Sequence, residues 1–151
     1  MLTNDKPYME LAIEQAKTAF NAGEVPVGAV LVCAQKGVIS KAHNQTIAQC
    51  NPCAHAEILV IQEAAKVLGN HRLKDTTLYV SLEPCAMCAG AIVQARIPRV
   101  VYATRDWNAG AGGTVMNILN HPKLNHRVDI DEGLYQKESQ ALLKEFFNLR
   151  R

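Results

Sequence analysis

A chain of 151 residues with 16 basic and 14 acidic side chains has room for one domain and leaves little for two. Its 48% hydrophobic and 20% charged residues are ordinary globular usage, which excludes disorder for the chain as a whole. The net charge of +2 excludes a polybasic nucleic-acid coat while leaving room for a local basic patch, and no apolar run approaches the roughly 20 residues of a membrane helix.

The first residues, Met1-Leu2-Thr3-Asn4-Asp5-Lys6-Pro7, form no apolar signal segment, so a cytoplasmic location is expected. Residues 4 to 22 predict a helix: Leu11, Ile13, Ala16, Ala19 and Phe20 make a helical stripe, ended by Asn21-Ala22-Gly23. Residues 25 to 33 are a nearly continuous apolar run, the pattern of a strand buried on both faces. Gln35-Lys36-Gly37 reads as a turn into a second strand over about 37 to 42. A loop runs from His43 to Pro52. Residues 54 to 68 predict a helix with Gly69-Asn70 as its stop. A strand follows at 77 to 82, and Pro84 opens a helix to about 96, ahead of Pro98. A fourth strand spans 99 to 104. Ala109-Gly110-Ala111-Gly112-Gly113 is too glycine-rich for either regular element. A short helix (114 to 120), a short strand near 127 to 130 and a last helix (134 to 149) complete the order. Helices interleaved with apolar strands imply a three-layer α/β domain spanning residues 1 to 151.

Five cysteines in a cytosolic chain are expected to be reduced, and paired spacings then indicate metal or catalysis before disulfides. Cys33, alone in an apolar run, is expected to be a small core residue. The strongest signal is His55-Ala56-Glu57 combined with Pro84-Cys85-Ala86-Met87-Cys88, each at the start of a predicted helix. Cys85 and Cys88, three apart, share a face of the first turn, where the helix dipole favours thiolates. His55, Cys85 and Cys88 would bind zinc through three ligands and leave the fourth tetrahedral position open, as catalytic sites do. Glu57, two residues beyond His55, is placed to take and return the proton of a water at that position. H-x-E with P-C-x-x-C is a known signature of zinc deaminases.

Two other arrangements use the same cysteines. A redox Cys-x-x-Cys would not require His-Ala-Glu. Cys50 and Cys53 with Cys85 and Cys88 would make a structural four-thiolate zinc module, but 31 residues lie between Cys53 and Cys85 against the roughly 15–20 of that motif. That arrangement also leaves Glu57 without a role.

Glu24-Val25-Pro26-Val27-Gly28-Ala29-Val30, Ala54-His55-Ala56-Glu57-Ile58, Leu78 to Ala91 and His121-Pro122 with Asn125-His126 resemble the bacterial tRNA-specific adenosine deaminases. The resemblance runs from about residue 5 to the end. Its metal motifs belong to the wider deaminase superfamily. The Glu-Val-Pro-Val-Gly segment, the surroundings of Arg105-Asp106 and the C-terminal Phe146-Phe147 with Arg150-Arg151 point to the tRNA branch. The resemblance implies a cytidine-deaminase-like fold with a five-stranded mixed sheet, a homodimer, and one zinc on His55, Cys85 and Cys88. It implies Glu57 as the proton shuttle, Asn44 holding the target base and Val25 in the apolar wall of its pocket. It implies conversion of the wobble adenosine of an anticodon stem-loop, in arginine tRNA, to inosine. Cys53, Trp107 and His43 depart from the residues usual at those places and bear on the flanking nucleotides, not on the reaction.

Lys123, Arg127, Lys144, Arg150, Arg151 and Arg105 are candidates for RNA contact or for a solvated charged face, and Trp107, the only tryptophan, is a candidate for stacking on an anticodon base, for a dimer contact or for the core. The alternative enzyme is a deaminase of a free base or nucleotide of the guanine or cytosine type, sharing the metal site and lacking an RNA face.

Overall fold

A computed structural model describes residues 4–150. The elements are α1 (Asp5–Asn21), β1 (Gly28–Cys33), β2 (Gly37–His43), α2 (Ala56–Leu68), β3 (Thr76–Leu82), α3 (Ala86–Gln94), β4 (Arg99–Thr104), β5 (Asp129–Glu132) and α4 (Gln136–Asn148). The strands form one sheet in the order β2-β1-β3-β4-β5. β1 is antiparallel to both β2 and β3, whereas β3, β4 and β5 run parallel. The sheet is therefore mixed, and the fold is the expected three-layer deaminase-type α/β domain.

Alternation along the central strands builds the layers, because successive side chains leave opposite faces of a sheet. Ala29, Leu31, Leu78, Val80, Val100 and Tyr102 face one core with Val60 and Ala64 of α2 and Ala89 and Ile92 of α3. Val30, Val32, Tyr79, Val101 and Ala103 face the other, with Met9, Ala12 and Ile13 of α1 and Leu142 of α4. The apolar run of β1 is buried at every position, as a strand covered on both faces must be. α1 lies directly on its backbone: a Cβ added at Gly28 would sit 2.1 Å from Ala12 O and 2.5 Å from Ala16 N. Cys33 is 7% exposed, a core residue as expected. Gly69 ends α2 in the left-handed conformation at φ 64°.

A buried ion pair ties the first helix to the sheet. Arg99 donates to both Asp5 carboxylate oxygens at 2.8 and 2.7 Å, Tyr79 Oη donates to Asp5 at 2.7 Å, and Arg99 also pairs with Asp131 at 2.7 Å. The Arg99 guanidinium beside Asp5 holds its carboxyl below the usual range, and burial together with Asp5 pushes the Tyr79 hydroxyl up.

Three boundaries and one element depart from the sequence-based expectation. β1 begins at Gly28 rather than 25, because Pro26 has no N–H and Val27 N donates to Val25 O at 2.8 Å. α3 stops at Gln94, and Arg96 turns the chain at φ 60°. The last strand begins two residues later than expected, since Val128 N bonds Leu119 O and Asp129 N bonds Pro98 O. The short helix over 114 to 120 does not form. Thr114 N donates to Glu83, and Val115 N and Met116 N both donate to Gly110 O. A helix would also need Ile118 N, Leu119 N and Asn120 N to bond the carbonyls four residues back, but Ile118 N and Leu119 N donate to Ala111 O and Asn120 N donates to Asn117 Oδ1, so the segment closes instead as a bridge between Gly112 and Asn117. Among the described residues no helix is long and apolar enough to cross a membrane.

Candidate metal centre and substrate cleft

The chain directions in the sheet gather the site. The C-terminal ends of β2, β3 and β4 and the N-terminal end of β1 all lie on one edge, given the pairings Gly28 with His43, Ala29 with Val80 and Leu82 with Thr104. α2 and α3 both start at this edge. His55 and Cys85 are the residues that precede each first turn, both with extended backbone (φ −74°). Extended backbone at that position turns the side chain toward the helix start, where the unpaired N–H groups lie.

His55 Nδ1 lies 3.6 Å from Cys85 Sγ and 3.5 Å from Cys88 Sγ. All three ligand atoms fall within 4.8 Å of one another. A tetrahedral ion with Zn–N near 2.0–2.1 Å and Zn–S near 2.3 Å has N-to-S edges of about 3.5–3.6 Å. The observed separations equal those edges, so the three side chains fit one tetrahedral metal. The proton chemistry agrees. The Cys88 thiol and the His55 ring hold the Cys85 thiol down to about 3, while Cys85 and burial push the Cys88 thiol up. Two sulfurs this close do not both ionise without a cation between them, and a divalent cation removes that conflict.

Cys50 and Cys53 are both exposed in the turns ahead of His55 and lie outside this group. The four-thiolate arrangement is therefore not formed.

His55 and Cys85 line a cleft of about 240 Å³ with Val25, Val27, Asn44, Thr46, Glu57, Leu82, Glu83 and Asp106. Cys88 is fully buried behind it. Glu57, in the first turn of α2, is 3% exposed, and burial pushes its carboxyl up to about 7. Asn44 is 6% exposed and fixed by its backbone N–H, which donates to Val27 O at 3.0 Å. The structure thus brings Val25, Asn44, His55, Glu57, Cys85 and Cys88 into one place.

The basic candidates separate into two groups. Lys123, Arg127 and Lys144 are exposed. Arg105 is tied to Glu132 through three hydrogen bonds, the shortest 2.7 Å. Arg150 lies 3.4 Å from the Phe146 ring centre and donates to Phe146 O and Gly23 O, so it closes α4 onto the end of α1. Arg105 and Arg150 are each held by a partner within the fold, and both side chains remain exposed. Arg151 lies outside the described residues. Trp107 is 72% exposed, one residue from Asp106 in the cleft wall.

Thr46, Leu82, Glu83 and Asp106 line the cleft without having been assigned a place in it from the sequence. Glu83 had a signal: an acidic residue closing an apolar strand directly before the Pro-Cys motif. Leu82 enters as the last residue of β3, and Thr46 and Asp106 enter from loops through tertiary contacts that no local pattern announces.

The family model of MafB19-like deaminases matches residues 3–151. The tRNA-specific adenosine deaminase of Bacillus subtilis (strain 168) is 46% identical over 146 residues, covering 97% of this chain and 90% of that protein. A solved structure from studies of A-to-I editing by tRNA:A34 deaminases at the wobble position of transfer RNA is 42% identical with a TM-score of 0.87, over 91% of this chain and 99% of that one. The guanine deaminase from Nitrosomonas europaea shares the fold at a TM-score of 0.81 with 25% identity, over 97% of this chain and 86% of that one. The fold is thus common to deaminases of free bases and of tRNA, while the sequence lies much nearer the second: the chain belongs to the family of tRNA-specific adenosine deaminases.

Proposed function

We propose that this chain, a single deaminase domain, hydrolyses the wobble adenosine of a tRNA anticodon to inosine, with arginine tRNA as its substrate, in the cytoplasm. The observation that carries the proposal is the His55-Cys85-Cys88 group with Glu57 and Asn44 in one cleft, on a chain of this family. His55, Cys85 and Cys88 would hold one zinc ion. Zinc, when bound, supplies Lewis acidity that makes a water molecule acidic near neutral pH.

The chain's own residues do the rest. The anticodon loop is already unpaired, so extruding the base costs a few kcal/mol at most. Val25 provides an apolar wall for the ring, and Asn44 hydrogen-bonds it. Glu57 takes a proton from the attacking water, delivers it to N1 of the purine, and then helps protonate the departing nitrogen. The balance is adenosine plus water giving inosine plus ammonia. A buried carboxyl raised to about 7 is suited to both halves of that transfer at neutral pH.

A homodimer accords with exposed Met87 in the first turn of α3 and exposed Val115 and Met116 in the loop anchored beside it, where Ala111 N donates to Pro84 O. The test is incubation of zinc-loaded protein with an anticodon stem-loop bearing wobble adenosine. Inosine and ammonia are the expected products, and deamination of free guanine or cytosine in its place refutes the assignment.

A further inference from the structure

Two acidic side chains outside the proton chemistry are among the most buried in the molecule: Glu24 and Glu83, each 2% exposed. Neither appears in an ion pair among the described residues. Each is surrounded by donors from a loop. Glu24 accepts from Ile47 N at 3.1 Å, Ala48 N at 2.8 Å and Thr46 Oγ1 at 3.4 Å. Glu83 accepts from Asp106 N at 3.1 Å, Gly112 N at 2.8 Å, Thr114 N at 3.2 Å and Thr114 Oγ1.

The arrangement repeats on both sides of the cleft. Glu24 leads into β1 and grips the loop that leaves the neighbouring β2. Glu83 leaves β3 and grips the loop that leaves the neighbouring β4. β1 and β3 lie between β2 and β4, so three strand spacings, about 14 Å, separate the two loops across the cleft mouth. The grip on the second loop explains its glycines. A Cβ at Gly110 would stand 2.5 Å from both Cδ and Oε1 of Glu83, and one at Gly112 would stand 3.3 Å from Oε2. Each loop also carries a large apolar side chain in solvent: Ile47 is 70% exposed and Trp107 is 72% exposed. Arg105, tied to Glu132, stands 5.8 Å from the Trp107 ring centre.

We propose that Glu24 and Glu83 are paired positioning residues, holding the two loops so that Ile47 and Trp107 meet the nucleotides on either side of the extruded base. This rests on the RNA-deaminase function above. One base fills the cleft, so its neighbours in the strand must pass over the rims. An exposed indole on a loop fixed at its backbone is a ready stacking surface for one of them, because stacking accepts any base. Fixing the loop beforehand removes the ordering cost that a mobile rim would carry on binding.

The experiment compares zinc-loaded wild type with Trp107→Ala, Ile47→Ala, Glu83→Gln and Glu24→Gln. Thr114→Val and Thr46→Val serve as milder variants that each delete one donor to a carboxylate. Substrates are an anticodon stem-loop with wobble adenosine and the same loop made abasic immediately 5′ or 3′ of it. Trp107→Ala is expected to raise KM about 5- to 150-fold with kcat retained, and to lose that penalty on one of the abasic loops. Ile47→Ala should behave likewise on the other abasic loop, with a smaller effect. Glu83→Gln sets an amide N–H against backbone N–H donors, so it should raise KM too, and adding Trp107→Ala should cost little more, since the two act as one unit. Thr114→Val and Thr46→Val should give the same pattern in weaker form if a Gln variant does not fold. Additive effects of the carboxylate and rim substitutions, equal losses in kcat and KM, or unchanged KM for Trp107→Ala overturn the proposal. Wild type that makes no inosine from the intact loop refutes instead the function on which it rests.

Discussion

Replacing Glu57 by glutamine isolates the proton-transfer role. The amide keeps the carboxyl's size in a site that is 3% exposed, so packing around the first turn of α2 is preserved. It removes the ability to take and return a proton. Such a loss ordinarily slows a reaction by about 10²–10⁴. The burial of Glu57 in the wall of the cleft limits the water that can substitute for it, which places the expectation at the upper end, near 10⁴. At 1.36 kcal/mol for each factor of ten, that is about 5 kcal/mol of lost transition-state stabilisation. The assay is single-turnover formation of inosine from an anticodon stem-loop, with metal content and stem-loop affinity measured on the same preparation. Full metal, unaltered affinity and a 10²- to 10⁴-fold slower rate are expected. A fully metallated Gln variant within tenfold of wild type refutes the assignment of the proton to Glu57.

Cys88→Ser should lower zinc stoichiometry sharply, whereas the double replacement Cys50→Ser with Cys53→Ser should leave it at one per chain, as read by elemental analysis; metal lost from the double variant contradicts the ligand set. Asp5→Asn leaves Arg99 with Asp131 as its remaining carboxylate partner and should destabilise the fold by about 1–3 kcal/mol in urea denaturation. Asp5 has a folded pKa below its unfolded value of 3.8, so its contribution is present above that value and is lost as pH falls through the lower folded one. The acid limb of stability should therefore be shallower in Asp5→Asn than in wild type, and identical limbs refute that linkage. Gly28→Ala forces a methyl group to 2.1 Å from Ala12 O and should cost at least about 1–3 kcal/mol by overpacking against a backbone that cannot yield locally. A denaturation midpoint unchanged from wild type would show that α1 shifts freely on β1.

Much of the site was legible because its chemistry is written locally. His55 and Glu57 lie two apart, Cys85 and Cys88 three apart, and each pair opens a helix. A helix start fixes where such side chains point before any tertiary contact forms, so spacing translates into geometry. The central strands were legible for a related reason: an unbroken apolar run such as β1 has few places to go other than between two layers. Asn44 and Val25 entered through family resemblance rather than through pattern, and the cleft contains both.

The sequence by itself determined the order of the five strands and four long helices, the two halves of the metal group and the role of Cys33 as core. Tertiary structure alone decided what the glycine-rich stretch and the expected helix after it become. A short helix needs the N–H groups of its later residues for its own ladder, and Ala111 O takes Ile118 N and Leu119 N while Glu83, distant in the chain, anchors Gly112 N and Thr114 N ahead of them. It likewise decided the fate of the arginines. Arg105 and Arg150 have the composition of an RNA contact, and Glu132 and the Phe146 ring stand where the fold puts them and fix where both guanidinium groups lie. A hydrogen-bonding group binds whichever partner the fold presents at contact distance, and partners distant in sequence are set only when the sheet and its helices have come together.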